Sequence, residues 1–320
     1  IHTNHGIYST LYSFPAIMKR NAMKGSVIPV YSGLPTVLQE NGYCNLFVMT
    51  HEAQYDNMNA FLRTNGFDEI YAQENYPSEK VVNSFGVQDD FMYQYALPIL
   101  NERAGTGNPF FSVLLSISNH PPYVIPPYFH PHSDVLEEQI VEYADWSIRQ
   151  FMQAAEKQPW FDNTIFVFLG DHGKMVGTPE CEMPQSYNHI PLMIYGKDIK
   201  PGVYDGFGGQ VDVSPTLLGL LNISYLQNNF GVNLLEEERP CMFFTADNLI
   251  GARDSVNMFI YSPDSQQEFK YKLEEGKLHA ATGTDEEAFR NLKDYCFSML
   301  QSTESLVKEH KTLDKVSVKK

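Results

Sequence analysis

Short apolar runs bounded by polar turns alternate with amphipathic stretches through the first two thirds of the chain. The runs Asn45–Thr50, Pro109–Ile117, Thr164–Leu169 and Ile190–Tyr195 are rich in β-branched and aromatic residues. Such continuous runs suit strands covered on both faces, the setting of a parallel sheet. Between them, Leu34–Asn41 follows a Ser32-Gly33 turn and predicts a helix. Val135–Lys157 predicts a longer one, with Ile140, Ala144, Ile148 and Phe151 on one face. Asp212–Leu221 is a third, with Pro215 early, where proline is tolerated. Strand and helix in alternation predict a doubly wound, mostly parallel α/β domain.

The texture changes after Arg239. Met242–Thr245, Val256–Tyr261 and Phe269–Leu273 read as antiparallel strands, and Asp285–Leu306 as a final helix. The expected organisation is a catalytic core over residues 1–238 and a small β-rich subdomain over 239–320. No internal repeat interrupts this pattern.

Composition narrows the function classes. The chain has 320 residues, 43% of them hydrophobic and 19% charged, as in an ordinary globular protein. Disorder is expected only in the Lys-rich tail after Leu306. A net charge of −16 repels phosphate backbones, so a polynucleotide partner is disfavoured. No apolar run reaches the roughly 18–20 residues of a membrane helix. The opening, Ile1-His2-Thr3, reads as the inside of a domain, so an upstream segment is expected. Cys44, Cys181, Cys241 and Cys296 lack the paired spacing of a zinc site, and separate thiols are the expectation.

Four segments carry candidate chemistry. Gly170-Asp171-His172-Gly173 ends a predicted strand and offers an oxygen and an imidazole nitrogen suited to a divalent ion. Taken alone, it reads equally well as a surface turn. Ser118-Asn119-His120-Pro121 follows another strand, and Asn188-His189-Ile190-Pro191 precedes one. A lone histidine at a strand end is most often structural, but these recur at the ends of one sheet. The opening His2-Thr3-Asn4-His5-Gly6 runs into a helix, where a threonine hydroxyl meets free N–H groups and the positive end of the dipole. By itself Thr3 reads as an N-cap.

Together, in this order and with Gln210-Val211-Asp212-Val213-Ser214-Pro215-Thr216-Leu217-Leu218, these segments resemble the alkaline phosphatase and sulfatase superfamily. Within it they are similar to the lipoteichoic acid synthase group of phosphoglycerol transferases, from Thr3 to about Ile223. The resemblance implies Thr3 as metal-bound nucleophile and Asp171 and His172 as metal ligands, with manganese expected and zinc or magnesium as alternatives. It implies that His120 and His189 face the phosphate, and that His51 and Asn57 contact the head group. Asp212 matches a helix start in the family rather than a catalytic group. Met58 stands where the synthases place an arginine, which leaves the head group open. The Cys/Ser-x-Pro-x-Arg signature of sulfatases is absent, so sulfate ester hydrolysis is disfavoured.

The resemblance further implies transfer of a phosphoglycerol- or phosphoethanolamine-type group from a phospholipid to a glycan or lipid hydroxyl through a phosphothreonine. The place would be the extracytoplasmic face of a bacterial membrane, reached through an upstream anchor. A further acidic metal ligand is expected upstream of Thr3, so residues 1–320 by themselves are expected to bind metal weakly and turn over little. Rival readings are a phosphodiester or phosphonate hydrolase and a degenerate, non-catalytic binding domain.

Overall fold

The six residues Cys44–Met49 are buried from the second position onward, as a strand covered on both faces must be. They form β1 of a computed structural model that describes residues 2–25, 27–281, 286–309 and 311–312. In chain order the helices are α1 (Thr3–Tyr12), α2 (Leu34–Glu40), α3 (Met58–Thr64), α4 (Asp89–Gly105), α5 (Leu136–Ala155), α6 (Gln185–Asn188), α7 (Val213–Leu220) and α8 (Glu286–Lys308). After β1 come β2 (Glu69–Tyr71), β3 (Val81–Asn83), β4 (Gly86–Val87), β5 (Phe110–Leu115), β6 (Phe166–Leu169) and β7 (Leu192–Tyr195). The C-terminal strands are β8 (Met242–Ala246), β9 (Leu249–Arg253), β10 (Asn257–Ser262), β11 (Gln267–Glu274) and β12 (Lys277–Ala280). Contacts gather these elements into two compact units. Residues 1–34, 167–194 and 200–320 form the first, and residues 35–166 and 195–199 the second.

In the second unit a parallel sheet runs in the order β2-β1-β5. Asn45 is buried within β1, and its amide nitrogen donates to Pro35 O and Gly66 O, both at 2.6 Å, so both of its side-chain donors are satisfied. The helix α5 buries Ile140, Tyr143, Ser147, Phe151 and Ala155, while the expected Ala144 and Ile148 lie on the flank of that stripe. Two polar residues can lead the face because both are satisfied there. Tyr143 donates to Asp90 Oδ1 at 2.6 Å, and Ser147 to Tyr143 O at 2.8 Å. The helix α4 escapes sequence reading because Pro98 stands in its middle. It nevertheless packs Met92, Tyr93, Ala96 and Leu100 into the same core as Phe151 and Trp160.

The fold is the expected doubly wound α/β type, but the four predicted strands do not share one ladder. Both edges of β1 are occupied, one by β5 and the other by β2, which is too short for its pattern to be read. In the first unit β6 and β7 pair with each other.

The C-terminal strands form an antiparallel meander, β8 to β12 in sequence order, five where three were expected. Gly251 in β9 and the mixed polarity of β12 conceal those two strands. The helix α8 closes one face with Phe289, Leu292 and Cys296 against Phe243, Ile250 and Phe259. The meander shares its unit with α1, α7 and most of β6 and β7, so the compact units divide the chain elsewhere than at residue 238. Asp285 and the Lys-rich stretch 313–320 lie outside the described residues. All four cysteines are free thiols, and burial pushes Cys296 up to about 12.

One buried ion pair ties the first unit together. Asp212 is fully buried and accepts from Arg239 Nε at 2.9 Å, with a second contact from Arg239 Nη2. The same carboxylate takes the N–H groups of Gly209 and Val232, both at 2.9 Å. Asp212 stands directly before α7, where its reading as a helix-start residue puts it. Arg239→Met should cost about 3–5 kcal/mol, because it strands a buried carboxylate without its partner. Chemical denaturation measures the loss, and a change under 1 kcal/mol on the scale of surface pairs would show that Asp212 is held by its backbone donors alone.

Candidate active site

The structure begins α1 at Thr3, with His2 in the extended conformation before it, so Thr3 is the first helical residue rather than its N-cap. Gly6 lies one turn further along. A Cβ there would stand 2.4 Å from Asp171 O and 2.9 Å from Asp171 Cα, so only glycine lets this turn rest on the backbone of Asp171. Gly6, one turn after Thr3, thereby brings α1 onto the backbone of Asp171 within the first unit.

Backbone groups fix the orientation of that pair. Asp171 Oδ1 accepts the His172 N–H at 2.9 Å. His172 Nδ1 lies 2.7 Å from Gly173 O, a pure acceptor, so Nδ1 carries a proton. Nε2 then stands 3.6 Å from Asp171 Oδ2, two donor atoms facing one place. Gln210 holds the turn from outside, donating to Gly170 O at 3.1 Å and Asp171 O at 2.7 Å. Sequence reading assigned Gln210 no role; only its position two residues before Asp212 marked it.

The helix α6 supports the same turn. Gly173 N–H donates to Tyr187 O at 2.9 Å, and a Cβ on Gly173 would meet Ser186 O at 1.9 Å. His189 follows α6 with its backbone N–H on Gln185 O at 2.8 Å. A cavity of about 1160 Å³ opens here, lined by Asp171, His172 and His189 together with His2, His5 and Gly6 of α1 and its N-cap. Thr3 lies outside that lining, on the neighbouring stripe of the helix. His5 is held neutral, its pKa pushed down to about 4 chiefly by burial.

The remaining sequence candidates, His51, Asn57 and His120, belong to the second unit. His51 is buried after β1, its Nδ1 bonded to Glu52 O at 3.0 Å and its ring 4.8 Å from that of Tyr55. Asp56 and Asn57 both take left-handed φ values, 52° and 63°, a sharp turn ahead of α3. His120 follows β5 with Nδ1 2.6 Å from Pro121 O and its ring 4.3 Å from Phe85.

As a divalent-metal site, the Asp171-His172 pair has suitable chemistry. Its outer atoms are tied to the backbone, as second-shell partners tie metal ligands, and its inner atoms are left facing each other. Among the described residues no group of three His, Cys, Asp or Glu comes together, so the pair supplies two donors and not a full set.

Two outcomes follow from this geometry. Gly6→Ala should destabilise the chain by about 1–3 kcal/mol as the new methyl pushes on Asp171, and should shift the His172 imidazole resonances. Unaltered resonances would show that α1 does not support the turn. Burial also lowers the His51 pKa below its usual 6.5. The neutral form is then favoured by folding, so the stability it contributes is complete above about 6.5 and is lost as pH falls through the folded value. A His51 NMR titration midpoint above 6.5 would contradict this.

The sulfatase family model matches residues 1–223. Lipoteichoic acid synthase 1 of Bacillus subtilis (strain 168) is 24% identical over 282 residues, covering 78% of this chain and 42% of its own length. Phosphoglycerol transferase I of Xanthomonas campestris pv. campestris (strain B100) is 26% identical over 251 residues, covering 74% of this chain and 36% of its own. The chain thus spans about two fifths of the length of these curated relatives. Among solved structures, an alkaline phosphatase superfamily protein of Vibrio parahaemolyticus superposes with a TM-score of 0.85 at 26% identity, over 96% of this chain and 76% of that one. With the family model spanning the Thr3 helix, the Asp171-His172 turn and α7, the chain belongs to the sulfatase family.

Proposed function

We propose that the chain transfers a phosphoglycerol- or phosphoethanolamine-type head group from a phospholipid to the hydroxyl of a glycan or lipid, through a phosphothreonine at Thr3. The observation that supports this reading is the seating of α1 on the backbone of Asp171 at Gly6, one turn from Thr3 and the helix N-terminus. The names of the relatives support the phosphoglycerol class.

In this reading Thr3 Oγ1 forms a bond to phosphorus while the P–O bond to the lipid alcohol breaks. His189, exposed on the cavity wall, gives the departing oxygen a proton. The proton of Thr3 passes to water. An acceptor hydroxyl then attacks phosphorus, gives its proton to His189 and releases Thr3, which is reprotonated from water. Asp171 and His172, with Thr3, would hold a divalent ion, manganese first and zinc or magnesium as alternatives, which when bound favours the threonine alkoxide and neutralises phosphoryl charge. His120 as hydrogen-bond donor to the phosphoryl oxygens, and His51 and Asn57 as head-group contacts, rest on the resemblance.

The same resemblance puts a further acidic ligand, and a membrane anchor, upstream of Thr3, with the reaction on the extracytoplasmic face of a bacterial membrane. No helix among the described residues is long and apolar enough to cross a membrane.

Turnover of labelled phosphatidylglycerol and phosphatidylethanolamine tests the reading, in residues 1–320 and in a version extended upstream. The extended protein should bind metal more tightly and turn over faster, and equal behaviour of the two would remove the upstream acid. Thr3→Ala should abolish the covalent phosphoprotein while the fold persists, whereas His120→Ala should slow transfer by about 100- to 1,000-fold. Covalent turnover retained in Thr3→Ala would eliminate the nucleophile. Faster cleavage of an aryl sulfate than of either phospholipid would overturn the substrate class.

A further inference from the structure

The cavity beside the Asp171-His172 turn is unusual for this acidic chain. The sequence holds 39 acidic residues against 23 basic, yet the lining carries one carboxylate, Asp171, and one permanent cation, Arg253. Arg253 ends β9 and is half-buried. Its Nη1 donates to Gln185 Oε1 at 2.7 Å, its Nε makes a long contact of 3.4 Å with Asp254 O, and its guanidinium lies 5.5 Å from the centroid of the Phe207 ring. Gln185 begins α6, the helix whose Tyr187 O holds Gly173, so the anchor of the cation and the support of His172 are one segment.

Arg253 has no carboxylate partner among the described residues. The neighbouring Asp254 is turned to the backbone, where Oδ1 accepts the N–H groups of Val256 at 2.7 Å and Asn257 at 2.6 Å. Arg103, Arg149 and Arg239 are each paired with an acid. At Arg239 burial is outweighed by Asp212 and at Arg103 Glu69 dominates, so both pKa values are raised, whereas at Arg253 burial outweighs the pull of nearby Asp254 and the pKa is lowered. A half-buried guanidinium with donors to spare is costly until an anion meets it, and its planar fork matches phosphate oxygens. Gln185 and Phe207 fix the plane of that fork in advance, so little side-chain freedom remains to be lost on binding.

We propose that Arg253 binds a phosphate ester anion in this cavity and makes the site selective for anionic esters. That the anion is a phosphate ester rests on the transfer reading; the binding of an anion does not. The anion is either the reacting phosphodiester or the next phosphodiester of a polymeric acceptor, which present the same chemistry to the guanidinium.

Equilibrium titration of the chain with glycerophosphoglycerol, which has one phosphodiester, and with its homologue of two phosphodiesters separates these sources. Arg253→Gln should weaken binding by about 10- to 100-fold, the scale of a charge-assisted hydrogen bond, and Arg253→Lys should recover part of it. Equal weakening for both probes assigns the reacting phosphodiester, and weakening for the longer probe alone assigns its neighbour. Gln185→Ala, which frees the guanidinium without removing its charge, should weaken binding less than Arg253→Gln. Dissociation constants within twofold of the parent in Arg253→Gln, or no saturable binding to the parent, overturn the proposal. A lowered Tm with unchanged affinity would assign Arg253 to packing and overturn it equally. If an aryl sulfate is cleaved faster than either phospholipid while Arg253→Gln still weakens binding, the transfer reading fails and the anion site stands.

Discussion

The approach of α1 to the strand-end turn depends on the missing side chain of Gly6. A single methyl there would overlap the carbonyl of Asp171, and the helix would have to lift away from it. With hydrogen in that place, the backbone of α1 rests on that of Asp171, one turn from the start of the helix at Thr3. Packed backbones are stiff because neither side can rotate to relieve strain.

Around that contact the structure spends backbone hydrogen bonds rather than side-chain packing. Gln210 takes the carbonyls of Gly170 and Asp171, the N–H and carbonyl groups next to His172 fix its tautomer, and Tyr187 O takes Gly173. Behind Gln210, Asp212 and Arg239 lock the turn from which it reaches. The pair is therefore oriented by groups two layers deep, while its facing atoms remain open. The atoms that set the direction of the pair are thus saturated by hydrogen bonds with the backbone.

The cavity extends the same logic to charge. A chain of net charge −16 would repel an anionic ester over most of its surface. Within the cavity that repulsion is relaxed, because Arg253 balances Asp171, the single carboxylate of the lining. The meander contributes that cation, which gives the C-terminal strands a part in the site beyond covering the core.

Much of this was legible in the sequence where the physics is local. Continuous apolar runs marked β1, β5, β6 and β7, although only β1 is buried along its length; β5 and β6 are half-buried and β7 is mostly exposed, against the expectation of strands covered on both faces. The glycines flanking Asp171-His172 and the order of the motifs marked the turn and, by resemblance, Thr3. Elements whose stability comes from partners were not legible: β2 has three residues, α4 contains Pro98, and α5 turns Tyr143 and Ser147 inward because Asp90 and its own backbone satisfy them. The sequence determined which residues end strands and which are candidates for chemistry, since those follow from residue type and short spacing. Only the tertiary structure decided that Gly6 lies on Asp171, that Gln210 and Gln185 hold the turn and that Arg253 meets no carboxylate partner among the described residues, because each depends on atoms brought together from distant parts of the chain.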